Sequence, residues 1–149
     1  MFPKDFKYTE EHIWVKQEGD IAIIGITSFG SEEMGDIVFV ELPEIGKEIE
    51  QISEFASVET KNSVKSLNLP IGGEIADVNQ DVVDSPFLVN ESPYEDGWLV
   101  KVNISDEKEI DDYQLNISTL RNLKKQKKDK FPADKDQYLT ELIQSYTKR

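Results

Sequence analysis

The chain contains no cysteine, so disulfides, thiolate metal sites and thiol nucleophiles are excluded from the outset. It has one histidine, His12, with no Ser or Cys partner in evident reach. A packing or hydrogen-bonding role fits it better than catalysis. No apolar run approaches the roughly 18 residues of a membrane span. Met1-Phe2-Pro3-Lys4-Asp5 offers no apolar signal region. A soluble, reducing, cytoplasmic location is therefore expected. Positive charge is scarce as well: 17 Lys and Arg stand against 30 Asp and Glu, a net charge of −13. Nucleic acid and anionic membrane are polyanions and are poor partners for such a surface. The acidic pairs Glu10-Glu11 and Glu32-Glu33 lack calcium-loop spacing and read as solvated faces. With no nucleophile–base pair, phosphate loop or metal cluster above background, an enzyme is not expected.

What is present is a succession of short β-patterned runs over 149 residues, enough for one compact domain with residues to spare. Phe6 to Val15 reads as a strand or strand pair, and Glu18-Gly19-Asp20 as a turn. Ile21 to Ile26 reads as a buried strand. Thr27 or Ser28 is placed to cap a short helix through Met34, with Gly35 ending it in a left-handed conformation. Asp36 to Leu42 is the most strand-like run, and Pro43 stops it. After the turn Pro70-Ile71-Gly72-Gly73, Glu74 to Val78 alternates as a half-buried strand ended by Asn79. Asp84 and Ser85 are plausible caps for one helical turn over Pro86 to Val89, and Trp98 to Ile104 should close the core.

The polar stretch from Ser57 to Lys65 lies between two apolar segments, Ile49 to Phe55 and Leu67 to Ile75. It reads as the exposed tip of a β-hairpin, with Asn62 and Ser63 at the bend. A lysine at such a tip is accessible to modifying enzymes and partner proteins.

The character changes from Asp106 onward. Asp106 and Glu109 have capping-box spacing, and Leu115, Leu120 and Leu123 are spaced for a helix face leading into the Lys124–Lys130 run. After Phe131-Pro132, Asp134 and Gln137 are placed to cap a last helix striped by Tyr138, Leu139, Leu142, Ile143 and Tyr146. The stripe suits docking on the body or binding a partner. Residues 121–149 hold 9 Lys/Arg against 4 Asp/Glu, whereas residues 1–120 hold 8 against 26. The expected organisation is a domain over 1–115 and a basic helical extension over 116–149.

Several segments together resemble the glycine cleavage system H protein family. They are Tyr8-Thr9-Glu10-Glu11-His12-Ile13-Trp14-Val15, Gly25-Ile26-Thr27, Gly35-Asp36-Ile37-Val38-Phe39-Val40-Glu41-Leu42-Pro43, Ser57-Val58-Glu59-Thr60 and Val89 through Trp98 with its Pro93-Tyr94-Glu95-Asp96-Gly97 run. The resemblance spans roughly residues 5–115. It implies a mainly β fold of the lipoyl/biotinyl type, a β-sandwich or barrel-sandwich hybrid with short helices. It also implies a non-catalytic shuttle. In this family a lipoyl group, amide-linked to a hairpin-tip lysine, visits the glycine decarboxylase (P protein), the aminomethyltransferase (T protein) and lipoamide dehydrogenase (L protein).

The chain departs from the family at the tip itself. The family motif reads Val-Glu-Ser-Val-Lys with a Pro eight residues beyond. Here Val58-Glu59-Thr60 matches and Pro70 keeps the spacing, which puts Asn62 at the acceptor position. Lys61 lies one residue early and Lys65 three residues late. An amide side chain has no nucleophilic amine to acylate. The family's His-Glu-Trp is His12-Ile13-Trp14 here, and the Glu it lacks is associated with the cleft that shelters the loaded arm. Family glycines before the tip are replaced by Ile52 and Ala56, while Gly73 is kept. The resemblance thus implies a divergent paralogue that lacks the acceptor lysine, with P, T, L or lipoylation enzymes as partners. Two alternatives stand beside it: a lipoyl carrier modified on Lys61 (less readily Lys65), and an interaction protein acting through its C-terminal extension.

Overall fold

A computed structural model describes residues 6–9 and 11–109. The expected helix faces around Leu115 to Leu123 and Tyr138 to Tyr146 lie outside the described residues.

The first segment is a strand pair, as its alternation suggests: β1 (Lys7–Tyr8) pairs with β2 (Ile13–Glu18), and between them the His12 N–H donates to the Thr9 carbonyl at 3.1 Å. Strand β3 (Ile21–Ile26) returns antiparallel to β2, with Ile13 opposite Ile26 and Glu18 opposite Ile21. Helix α1 (Ser28–Met34) follows, and Thr27 Oγ1 caps it by accepting the Gly30 N–H at 3.0 Å. Gly35 ends it at positive φ as expected, but its ψ of −164° lies outside the left-handed helical region.

Only the end of the Asp36–Leu42 run is strand, β4 (Phe39–Glu41). The first half is held otherwise. The Ile37 N–H donates to Asn90 Oδ1 at 2.9 Å, and the Val38 N–H donates to the Glu59 carbonyl at 2.8 Å. The Ile49–Phe55 arm is also broken. Its start, β5 (Glu48–Ile49), joins one sheet, and β6 (Glu54–Glu59) joins the other. Between them Ile52 takes φ 68°, a conformation a β-branched residue rarely adopts. Strand β7 (Val64–Asn68) returns from the hairpin, β8 (Gly73–Val78) follows the Pro70 turn, and β9 (Val100–Ile104) closes the fold.

Asn79 ends β8 and at once caps a helix the sequence reading did not include, α2 (Gln80–Asp84), by accepting the Asp81 N–H at 3.1 Å. The later helical turn, expected over Pro86–Val89, is α3 (Leu88–Glu91). The Asp106–Glu109 spacing does not form a capping box. Asp106 Oδ1 accepts the Lys108 N–H at 2.9 Å, but Glu109 Oε1 accepts the distant Gly72 N–H at 2.9 Å.

The strands form two open sheets. Six strands run in the order β1-β2-β3-β9-β8-β5, and three in the order β4-β6-β7. Ile13, Val15, Ile24, Ile75 and Val102 from the larger sheet and Val40, Phe55, Val58 and Leu67 from the smaller meet in one buried cluster. At roughly 1.5–3 kcal/mol per buried aliphatic or aromatic side chain, this cluster is the main stabilising term. A register shift between Glu54 and Ala56 lets the neighbours Phe55 and Ala56 both sit in the interior.

Candidate functional site

Strands β6 and β7 make the hairpin rigid by their length and by their inner face. The pairs Ser57–Ser66, Val58–Lys65 and Glu59–Val64 are in register, and Val58 and Leu67 are anchored in the core. The free tip is therefore shorter than the polar stretch Ser57–Lys65. The Thr60 N–H donates to the Ser63 carbonyl at 2.9 Å, and the two hydroxyls lie 3.2 Å apart. Thr60 Oγ1 also accepts the Asn62 N–H at 3.4 Å. Lys61 and Asn62 are left as the two central residues of the turn, both exposed. Neither has positive φ, so this is not the mirror-image turn that Asn-Gly hairpins favour.

The three candidate residues are thus separated in kind. Lys61 and Asn62 share the apex. Lys65 lies within β7 opposite buried Val58, half-buried on the core-side face of the sheet. Below the apex, Phe39, Glu59 and Val64 align in one row across β4, β6 and β7. Phe39 is 46% and Val64 64% exposed, an apolar pair flanking an acid. No motif in the sequence marks this row. Its signal was present in the alternation around Val40 and Val58, which sends Phe39 and Glu59 outward once those two point inward.

His12 is placed by fold and not by reactivity. It is buried at φ 67°, its ring lies 4.6 Å from that of Phe29, and its Nε2 stands 3.4 Å from Glu33 Oε2. One of the acids read as a solvated face is therefore its partner. Ile13, in the place of the family's cleft glutamate, is buried in the core. Ala56 is buried as well, whereas Ile52 exposes 64% of its surface. Beside the helices, the Trp14 indole N–H donates to the Pro93 carbonyl at 3.0 Å, and the Tyr94 hydroxyl accepts the Ser28 N–H at 3.1 Å. The Pro93–Trp98 run therefore buttresses the first strands. Among the described residues no group of three or more His, Asp or Glu could hold a metal ion. No helix among them is long and apolar enough to cross a membrane.

The glycine cleavage H-protein family model matches residues 6–129. The chain belongs to that family. It is 50% identical over 110 residues to the glycine cleavage system H protein of Staphylococcus carnosus, covering 74% of this chain and 87% of that one. It is 54% identical over 109 residues to the H protein of Bacillus licheniformis, covering 73% of this chain and 86% of the relative. The crystal structure of a glycine cleavage system H protein from Mycobacterium marinum superposes with a TM-score of 0.67 at 36% identity. That match covers 70% of this chain and 87% of that one. The sandwich is thus the lipoyl-type fold, and the protein is a carrier of the H-protein family and not an enzyme. H proteins carry lipoate and work with the P, T and L proteins of glycine cleavage.

Proposed function

We propose that this H-family protein keeps the carrier scaffold but does not carry lipoate at the family position. It would act as a divergent paralogue that engages P, T or L proteins, or the lipoylation enzymes, through the hairpin end. The observation that carries this reading is the residue at the apex. Asn62 stands where family spacing expects the acceptor lysine, and a carboxamide nitrogen is delocalised into its carbonyl and does not attack an activated acyl group. The scaffold around it is intact, with an anchored hairpin and an outward row of Phe39, Glu59 and Val64 beside the tip. In this reading residues 1–115 are the lipoyl-like domain and 116–149 a basic segment, the first part of which, to residue 129, still falls within the family match.

A second reading is favoured by one specific observation: Lys61 is the other central residue of the same turn and is exposed. A modifying enzyme that tolerates a one-residue displacement would find an amine there. Lipoate on Lys61 would then swing from a rigid hairpin, which raises the effective concentration of the dithiolane at each partner site. Lys65 fits this role less well, because its stem is half-buried against the core-side face.

Intact-mass measurement after co-expression with a lipoate ligase and lipoate separates the two. A genuine H protein in the same cells serves as positive control, and peptides over residues 55–70 are mapped. An unmodified chain beside a modified control supports the first reading. A lipoyl adduct on Lys61 replaces it with the second.

A further inference from the structure

The base of the hairpin, at the opposite end of β6 from the tip, carries a groove of about 490 Å³. Its apolar lining comes from Leu42, Pro43, Phe55 and Ala56, and its charged lining is Glu41, Glu44 and Glu54 with Lys47. None of these three carboxylates holds an ion pair among the described residues. Two large aliphatic side chains in the adjacent loops are also left open: Ile45 is 61% and Ile52 64% exposed. Exposed apolar groups beside a net negative charge, three carboxylates against Lys47, mark a surface suited to a basic, amphipathic partner.

Such a segment belongs to the chain itself, and the described residues end nearby. Consecutive residues Lys47 and Glu48 line this groove and a second one of about 540 Å³, respectively. The second is bordered by Glu48, Glu50, Gly72 and Glu109. Glu109 is fastened there through its bond to the Gly72 N–H, 2.9 Å long. From that point the Lys124–Lys130 run begins 15 residues on. That is about 50 Å of extended chain or about 22 Å of helix, ample for an adjacent face of one domain. Residues 121–149 carry 9 Lys/Arg against 4 Asp/Glu, and also hold Tyr138, Leu139, Leu142, Ile143 and Tyr146.

We propose that the basic segment of this same chain, residues 121–149, docks on the hairpin base. Its lysines would face Glu41, Glu44 and Glu54, and its apolar residues would cover the floor of the groove and Ile45. The segment offsets part of the acidity of the body and leaves the tip free. The proposal is independent of whether the tip carries lipoate.

The test uses the full chain. Zero-length carbodiimide coupling at low salt, followed by peptide mapping of the monomer, should join Lys124–Lys130 to Glu41, Glu44 or Glu54. Coupling should be lost near 1 M salt, where the screening length falls to about 3 Å. A second readout needs no carboxylate at the groove. Amine acetylation of Lys124–Lys130 should be roughly three- to tenfold faster in the E41Q/E44Q/E54Q variant than in the wild type, the scale expected of three weak surface pairs. Lys61 at the tip serves as the unchanged reference, and circular dichroism confirms that the variant folds. Links spread equally to acids outside the groove, or links found only between two copies, overturn the proposal. So do equal acetylation rates in a folded variant.

Discussion

Gly25 sits directly opposite Trp14 in the β2–β3 pair, and a Cβ built on it would stand 2.5 Å from the indole ring. The indole lies across the bare glycine and donates its N–H to Pro93. Two of the motifs that carry the family resemblance, His12-Ile13-Trp14 and Gly25-Ile26-Thr27, are thus the two halves of one contact. The Pro93–Trp98 motif supplies its third side.

Replacing Gly25 by Ala should therefore cost about 1–3 kcal/mol, the usual scale of overpacking where neither backbone nor ring has room to retreat. In urea unfolding the midpoint should fall while the slope stays unchanged, since the denatured chain is barely altered. A variant with wild-type stability would mean that the indole swings aside freely, and that the Pro93 bond does not fix it.

Ile52 predicts the reverse sign. Its φ of 68° places a β-branched Cβ where L residues are strained, while its side chain, 64% exposed, has little packing to lose. Ile52→Gly should raise stability by about 0.5–1 kcal/mol after the entropic cost of glycine is subtracted. The expected rise in midpoint is a few degrees for a domain of this size. Ile45→Gly is the control. It is equally exposed at 61% but has no positive φ, and it should give no gain.

The hydrophobic alternation made the core strands legible, because one face of each is buried: β3 is the expected Ile21–Ile26, and β9 takes Val100–Ile104 of the Trp98–Ile104 run. Alternation could not show where side chains replace strand partners. Asn90 is the case in point. Its Oδ1 takes the Ile37 N–H and its Nδ2 donates to the Gly35 carbonyl at 2.8 Å, so half of an apparently perfect strand is loop. Nor could it show that the Ile49–Phe55 run changes sheets, since that depends on a backbone conformation at Ile52 that its residue type disfavours. At the candidate site the tip was legible from its polar residues, and Asn62 from motif spacing alone. That Lys61 shares the apex while Lys65 does not rests on the Val58–Lys65 register, which a sequence does not contain.

Asn79 joins three segments with one side chain. It is 5% exposed. Its Oδ1 caps α2, and its Nδ2 donates to the Asp96 carbonyl at 2.8 Å and the Trp98 carbonyl at 2.7 Å. Asn79→Ala removes the cap and leaves both carbonyls without that donor, an expected loss of about 2–4 kcal/mol. Asn79→Asp keeps a capping oxygen but sets a carboxylate against two carbonyls, so it should be no more stable than the alanine variant. Rescue by Asp would show that the cap, and not the bridge to the Asp96–Trp98 segment, carries the stability.

The decisive variant for the carrier question is Asn62→Lys. It returns an amine to the acceptor position while leaving Thr60 and Ser63, the residues that close the turn, in place. Asn62 is exposed, and its side chain makes no hydrogen bond with the described residues, so the substitution should leave stability within about 0.5 kcal/mol. If the scaffold still presents its tip as the family does, co-expression with lipoate ligase should add one lipoyl unit to the Asn62→Lys chain and none to the wild type. The modified lysine should be residue 62 itself, and adding Lys61→Ala should leave the yield unchanged. If instead the wild type is already modified and Lys61→Ala abolishes it, the displaced lysine is the acceptor. A variant that stays unmodified with Asn62→Lys, although folded, would put the divergence in the surface the ligase reads. Phe39, Glu59 and Val64, just below the apex, would be the next residues to exchange.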